Sequence, residues 1–189
     1  MWSFHIRWLT AVAIATAATT FCIFWVATSS SSPIPAAPSP EIAAAPFADL
    51  KASNLHDSFN EIHHGHRHEA IDIMEPRGTP IHAVVDGTIR KLFTSRAGGT
   101  TIYEFDTTGS YCYYYAHLDR YADGLHENMA VKPGQILGYV GTSGNAAPDA
   151  PQLHLAIIRL GPDKKWWQGS PIDPYPVLLS FVQKSSNQG

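Results

Sequence analysis

The histidines of this 189-residue chain are unevenly spaced, and five of the ten fall between His56 and His68. Asp72 follows His68 after three intervening residues. Imidazole nitrogens and carboxylate oxygens are common ligands of divalent metal ions. In a straight strand these two residues would lie about 13 Å apart, so they can share one ion only if the chain curls back at His68. Gly65 and the polar run around it permit such a curl, and the alternative interpretation is a solvated loop rich in histidine.

A second cluster is the aromatic run from Tyr113 to Leu118, which contains His117. Successive side chains of a strand point to opposite faces, so Tyr113, Tyr115 and His117 are predicted to share one face and Tyr114 the other. A histidine at the end of an aromatic strand is, taken alone, ordinarily half-buried and hydrogen-bonded. This cluster acquires a functional meaning only together with the others.

A third cluster pairs Gln152 with His154 in an otherwise apolar run. Strand alternation places both polar side chains on one face, about 6.5–7 Å apart, while the neighbouring leucines point into the core. The same alternation turns Asp72 away from the face that carries Ile71 and Ile73. A polar pair of this kind requires partners if it is covered, and the alternative is an amphipathic strand with a solvated face.

The elements that would position these side chains are short strands. Short β-branched and aromatic runs alternate with glycine and proline turns, and no long segment has a helical period. Strands are predicted at residues 71–74, 81–85, 88–93, 100–105, 111–118, 135–140 and 153–160. Helices are predicted only as short segments near residues 47–53 and 120–124. The pattern predicts an all-β fold, a compact antiparallel sandwich or open barrel.

The N-terminal residues 1–28 have a different character. From Trp8 to Thr28 there is no charged residue, and about 20 apolar residues suffice for a helix to span a bilayer. A bulky end to this segment and a poor cleavage site favour an uncleaved signal anchor, one transmembrane helix, over a cleaved signal peptide. Because Arg7 precedes the segment and the next basic residue is Lys51, the domain is expected in the periplasm or outside the cell.

The remaining boundaries follow from composition. Residues 29–46 form a Ser/Ala/Pro-rich linker, residues 47–182 the folded domain and residues 183–189 a polar tail. Cys22 and Cys112 fall in different compartments, so Cys112 is predicted to be a buried free thiol. The net charge of −3 offers no basic excess for phosphates, which argues against nucleic acid as a partner.

The clusters and their flanking motifs occur in an order that resembles the lysostaphin-type (LytM-like) zinc endopeptidases of bacterial peptidoglycan. The matching segments are HEAID at 68–72, GTPIHAVVDG at 78–87, YAHL at 115–118, VKPGQILGYVG at 131–141 and QLHL at 152–155. Together they span most of residues 60–175. Each motif is weak alone, and their ordered combination is specific.

The resemblance implies one zinc ion per domain, held by His68, Asp72 and His154, with a fourth position left open for water. His117 matches a catalytic histidine that assists proton transfer or stabilises the oxyanion. The implied ligands of the groove are peptidoglycan peptides. Its candidate walls are Tyr115, residues 141–145 and residues 166–167, for which simple packing is the alternative.

Two positions depart from the family pattern. Ala70 stands where the family usually has glycine, which matters only if the backbone there needs a positive φ. Gln152 stands where the family has its second catalytic histidine. A glutamine amide can orient water or an oxyanion but cannot carry a proton away.

Two functions therefore remain open from the sequence. The first is a zinc endopeptidase, anchored in the cell inner membrane through residues 8–28, that cuts peptide cross-links of peptidoglycan with His117 as its acid/base group. The second is a catalytically impaired module that binds peptidoglycan or regulates a cell-wall hydrolase partner. The histidines at 56, 63, 64 and 66 are interpreted as solvated, with an accessory metal-binding loop as the alternative.

Overall fold

The computed structural model describes residues 39–63 and 65–187. The predicted signal anchor, most of the predicted linker, Cys22 and His64 lie outside these residues. Among the residues described, no helix is long and apolar enough to cross a membrane.

Eleven strands and one α-helix make up the described part of the chain. The strands are β1 (Ile62–His63), β2 (His66–Arg67), β3 (Ile71–Met74), β4 (Pro80–His82), β5 (Gly87–Ser95), β6 (Gly99–Asp106), β7 (Tyr111–Tyr121), β8 (Ala130–Val131), β9 (Ile136–Val140), β10 (Gln152–Leu160) and β11 (Gly169–Ile172). The helix α1 spans Pro174–Ser186, and a single 3-10 turn spans Ala52–Asn54.

Nine of these strands form one antiparallel sheet, which confirms the predicted β architecture. The main order is β11-β10-β7-β6-β5-β8. Strand β3 pairs with β10, and β9 pairs with both β4 and β7. Strand β10 is thus flanked by β7 on one side and by β3 and β11 on the other, which places it at the centre of the site described below. All seven predicted strands are present, and β1, β2, β8 and β11 were not predicted.

Helix α1 is the main departure from the predicted all-β fold. It begins at Pro174, and the Asp173 side chain caps it by accepting a hydrogen bond from the Tyr175 N–H at 2.9 Å. Only Leu178 and Val182 are buried in the core, so the apolar period is too short to stand out in sequence. The Asp-Pro pair at its start was the available signal, because proline favours the first helical position.

The two predicted short helices are wrong in type or extent. Residues 120–124 do not form a helix, because strand β7 continues to Tyr121. Near residues 47–53 the chain forms only the 3-10 turn, preceded by Phe47 and Leu50, which are buried in the core. Helix α1 also extends into the stretch that was predicted as a polar tail.

The core lies against the inner face of the sheet and contains Tyr115, which is fully buried. Its hydroxyl group accepts a hydrogen bond from the Val84 N–H at 3.2 Å and donates one to Glu104 Oε2 at 2.6 Å. The prediction of Tyr115 as a groove wall is therefore wrong. Cys112 is buried and free, as predicted.

Candidate metal and peptidase site

Three side chains bring their ligand atoms together where β3, β10 and the loop before β3 meet. His68 Nε2 lies 3.1 Å from Asp72 Oδ1 and 3.0 Å from His154 Nδ1, and His154 Nδ1 lies 3.0 Å from Asp72 Oδ1. The structure thus places all three predicted metal ligands in one triangle. None of the three side chains is more than 19% exposed.

Backbone pairing explains why these residues meet. Asp72 of β3 and His154 of β10 are direct partners in the antiparallel register. Ile71 and Ile73 are fully buried, so Asp72 points to the opposite face, as alternation predicts.

The predicted curl between His68 and Asp72 is present and is made by Glu69. Glu69 adopts the left-handed conformation with φ of 55°, which turns the chain just before β3. The His68 N–H donates to the Glu61 carbonyl at 2.8 Å, which ties this turn to the preceding segment. The positive φ falls on Glu69 and not on Ala70, so the alanine in place of the family glycine meets no backbone conflict.

The Asp72 carboxylate gives the triangle a negative charge. Burial acts to raise the pKa of Asp72, but its hydrogen bonds with His154 and His68 outweigh this effect and hold the pKa well below its usual range. The carboxylate is therefore ionised. Burial likewise acts to lower the pKa of His68, and the contact with Asp72 outweighs it and raises the pKa.

The donor set fits a zinc ion. Four ligands about 2.0–2.1 Å from a tetrahedral ion are about 3.3 Å from one another, close to the observed 3.0–3.1 Å edges. Two imidazole nitrogens and one carboxylate oxygen are the ligand types found in catalytic zinc sites with one open position. His68 is also oriented from behind, because its Nδ1 lies 3.2 Å from the Ser58 carbonyl oxygen.

His63 is a further group near the triangle, and the sequence prediction of a solvated residue missed it. Ring nitrogens of His63 and His68 and a carboxylate oxygen of Asp72 lie within 4.8 Å of one another. The His63 ring stacks on His68 with centroids 4.2 Å apart, and its Nε2 lies 3.2 Å from Glu61 Oε2. The hairpin of β1 and β2 therefore forms one wall of the site.

His117 lies beside the triangle, with its ring centroid 5.6 Å from that of His154. It reaches this face through a bulge in β7, at which His117 takes the left-handed conformation with φ of 63°. The extra residue reverses the alternation, so Tyr114, Ala116 and His117 all line the same cleft. The predicted pairing of His117 with Tyr113 and Tyr115 on one face is therefore wrong.

Ser143 fixes the orientation of the His117 ring. The His117 Nδ1–H donates to the Ser143 carbonyl at 2.8 Å, which leaves Nε2 as the acceptor of the neutral ring. The Ser143 hydroxyl donates to the Leu118 carbonyl at 2.7 Å and accepts from the Thr100 N–H at 2.9 Å. Burial lowers the pKa of His117 against the smaller opposing effect of the Ser143 hydrogen bond, so the ring is neutral at neutral pH.

Gln152 also lines the cleft, whose volume is about 510 Å³. Its backbone N–H donates to the Gly141 carbonyl at 3.3 Å, which joins β10 to the 141–145 loop. Its side-chain amide makes no hydrogen bond to another described residue. The amide is thus free to contact a ligand in the cleft, and Arg67 adds a cationic group to the lining of the same cleft.

Comparisons with known proteins agree with this geometry. The sequence model of Peptidase family M23 matches residues 66–174. The chain is 33% identical over 119 residues to an L-Ala–D-Glu endopeptidase of Bacillus subtilis, covering 60% of this chain and 35% of that protein. It is 33% identical over 117 residues to the glycyl-glycine endopeptidase ALE-1 of Staphylococcus capitis, covering 61% and 30%.

The fold is likewise that of a solved relative. The structure is similar to the catalytic domain of lysostaphin from Staphylococcus simulans, with a TM-score of 0.52 and 29% identity, over 61% of this chain and 81% of that one. The chain spans only about a third of the two curated relatives it matches. The predicted resemblance is confirmed: by sequence and structure the chain belongs to peptidase family M23 and is homologous to the lysostaphin- and LytM-type peptidoglycan endopeptidases.

Proposed function

We propose that this protein is a zinc-dependent endopeptidase that hydrolyses peptide cross-links of peptidoglycan. The observation that carries the proposal is the 3.0–3.1 Å triangle of His68, Asp72 and His154 beside the neutral His117 ring. A zinc ion held by these three side chains would supply Lewis acidity to the reacting carbonyl and to water. Membership of a peptidase family supports the same reaction class.

The residues of the chain take distinct roles in the proposed reaction. His117 Nε2 accepts a proton from the attacking water or donates one to the leaving amine, and Ser143 holds the ring in the tautomer that allows this. The Gln152 amide orients water or donates to the developing oxyanion. The three ligand side chains are at most 19% exposed, which strengthens electrostatic interactions at the triangle relative to those in bulk water.

Gln152 makes the proposed enzyme slow. A histidine at this position could accept a proton near neutral pH, whereas an amide cannot. General acid–base assistance is typically worth about 10²–10⁴-fold in rate, so its loss at one position leaves hydrolysis reduced. The alternative function, a catalytically impaired module that binds peptidoglycan or regulates a cell-wall hydrolase partner, is favoured by this same substitution.

We further propose that the protein is tethered to the inner membrane by residues 8–28, with the M23 domain in the periplasm or outside the cell. The absence of charge between Trp8 and Thr28 supports a membrane-spanning segment. The net charge of −3 supports a partner other than nucleic acid.

One assay separates the enzyme from the impaired module. Full-length protein in detergent is incubated with zinc and dimeric muropeptides, and the products are identified by mass spectrometry. We expect wild-type protein to release monomers slowly and Gln152→His to release them about 10²–10⁴-fold faster. His154→Ala, the matched control on the same strand, should lose both zinc binding and cleavage. Cleavage by Gln152→His with no detectable cleavage by wild type would overturn the enzyme proposal and leave the binding module.

A further inference from the structure

Five aromatic side chains form a continuous ladder that leads away from the cleft. Tyr114 packs against Tyr103 with ring centroids 4.7 Å apart, and Tyr103 packs against Trp166 at 4.7 Å. Trp166 in turn contacts Phe93 at 5.5 Å and Trp167 at 5.2 Å. Every step is within the 4.5–7 Å range of favourable aromatic pairs, so the ladder is one connected surface.

The sheet and one loop build this aromatic ladder together. Tyr103 of β6 and Tyr114 of β7 are direct partners in the antiparallel register, and Phe93 lies on the adjacent strand β5. Trp166 and Trp167 come from the loop between β10 and β11 and fold over these strands. The ladder therefore stands on rigid backbone along most of its length.

One end of the ladder opens into the cleft. Tyr114 lines the cleft, and its ring centroid lies 6.0 Å from that of the proposed ligand His154. The Tyr114 hydroxyl lies so close to Gly98 that any side chain there would overlap it. This close approach fixes Tyr114 at the junction of ladder and cleft.

The other end of the ladder faces solvent. Trp167 is 63% exposed and Phe93 is 40% exposed, whereas Trp166 is half-buried against a small cluster that contains Leu160. Trp166 and Tyr103 thus support the surface, and Trp167 and Phe93 each leave part of the ring exposed to solvent. Two exposed aromatic rings joined through Trp166 are the kind of apolar surface that binds ligands.

We propose that the aromatic ladder is a saccharide subsite, which holds sugar rings of a glycan strand while the attached peptide enters the cleft. The proposal rests on the proposed function, because that function supplies a substrate in which peptides are joined to sugars. The saccharide subsite extends recognition from the peptide to the glycan strand. Because the ladder is continuous with the cleft, the sugar rings on the ladder and the attached peptide in the cleft can be bound together.

The chemistry of the ladder matches a pyranose ring. Such a ring has an apolar face of C–H groups and a rim of hydroxyl groups, so it stacks on an aromatic face and needs hydrogen-bonding groups at the edge. The loop that carries the two tryptophans also carries Asp163, Lys165 and Gln168, which are at least partly exposed, and the Lys165 Nζ lies 3.5 Å from Asp163 Oδ2.

Binding can be measured without cleavage. Full-length protein, treated with EDTA and kept in a detergent that has no sugar headgroup, is titrated with an N-acetylglucosamine hexamer and followed by isothermal titration calorimetry. We expect saturable binding that Trp167→Ala and Phe93→Ala each weaken by about tenfold. Ile136→Ala is the matched control, because Ile136 is 39% exposed and lies on β9 away from the ladder; it should leave the affinity unchanged.

A second titration uses a stem peptide that carries no sugar. Its affinity should be the same for wild type and Trp167→Ala, because the peptide occupies the cleft. Absence of saturable hexamer binding, equal hexamer affinity in the Trp167→Ala/Phe93→Ala double variant, or equal weakening of peptide and sugar would each overturn the saccharide subsite. Loss of muropeptide cleavage with hexamer binding retained would overturn only the proposed enzyme function.

Discussion

Glu104 lies in the core with no part of its side chain exposed, and this burial predicts an unusual pH dependence of stability. Tyr115 donates a hydrogen bond to Oε2, whereas Oε1 has no partner among the described residues. Burial raises the pKa of Glu104 from 4.5 to about 8, against the smaller opposing effect of the Tyr115 hydrogen bond. The carboxyl group is therefore protonated in the folded protein at neutral pH and ionised in the unfolded chain.

The size of the effect follows from these two pKa values. Between pH 5 and 8 the folded state holds one more proton than the unfolded chain, so the free energy of unfolding falls as the pH rises. The fall is about 1.4 kcal/mol per pH unit. The stabilisation that comes from protonated Glu104 in the folded state is fully present below pH 4.5 and is lost as the pH rises through about 8. The total loss in the free energy of unfolding is at most about 5 kcal/mol.

Glu104→Gln isolates this contribution because the amide keeps an oxygen for the Tyr115 hydroxyl and cannot ionise. Urea unfolding at pH 5, 6, 7, 8 and 9 gives the free energy of unfolding of both proteins, and their difference cancels the other titrating groups. We expect similar stability at pH 5 and a variant that is more stable than wild type by about 3 kcal/mol at pH 7. A difference that stays constant from pH 5 to 9 would refute the reasoning, since Glu104 would then be ionised in the folded state.

Three further substitutions test the cap, the ligand triangle and the loop behind His117. Asp173→Ala should lower the free energy of unfolding by about 1 kcal/mol through loss of the helix cap, measured by urea unfolding, and an unchanged value would contradict the capping role. Loss of a residue that only supports a metal ligand weakens metal affinity by roughly 10–100-fold, so Asp72→Asn, which changes a ligand, should weaken zinc binding by more. Competition with a chelator measures this affinity, and an unchanged value would remove Asp72 from the ligand set. Gly99→Ala should reduce muropeptide cleavage, because a methyl group there would overlap Ser143 at a backbone φ of 65°, and cleavage at the wild-type rate would show that Ser143 does not position His117.

The resemblance to the lysostaphin-type family predicted the ligand triangle, and strand alternation predicted the faces on which two of its side chains lie. Alternation along β3 and β10 places Asp72 and His154 opposite the buried face, and a period of two residues is readable without knowing the partner strand. The curl at His68 followed from a distance limit, since a straight strand would separate it too far from Asp72. These two inferences needed only the local chain, whereas the grouping of His68, Asp72 and His154 around one ion came from the resemblance.

Strand alternation predicts the wrong face for His117, because β7 departs from regular pairing there. The bulge in β7 depends on how this strand pairs with β6, and the local sequence period does not reveal that pairing. The bulge places His117 on the face that carries Tyr114. A non-glycine residue with φ of 63° costs free energy that the surrounding structure must offset. Here the offset comes from the His117 N–H, which donates to the Gly98 carbonyl at 2.8 Å, and from the side-chain bond to Ser143.

The histidine-rich segment shows how pairing changes the meaning of composition. In the sequence, the spacing of His63 and His66 follows neither a strand period nor a helix period, which indicates a solvated loop. Strands β1 and β2 pair His63 directly with His66, and both residues line the same cleft as Gln152. The cleft that contains Gln152 therefore also contains the imidazoles of His63 and His66. Unlike these two residues, Gln152 is held by strand β10, two residues before His154.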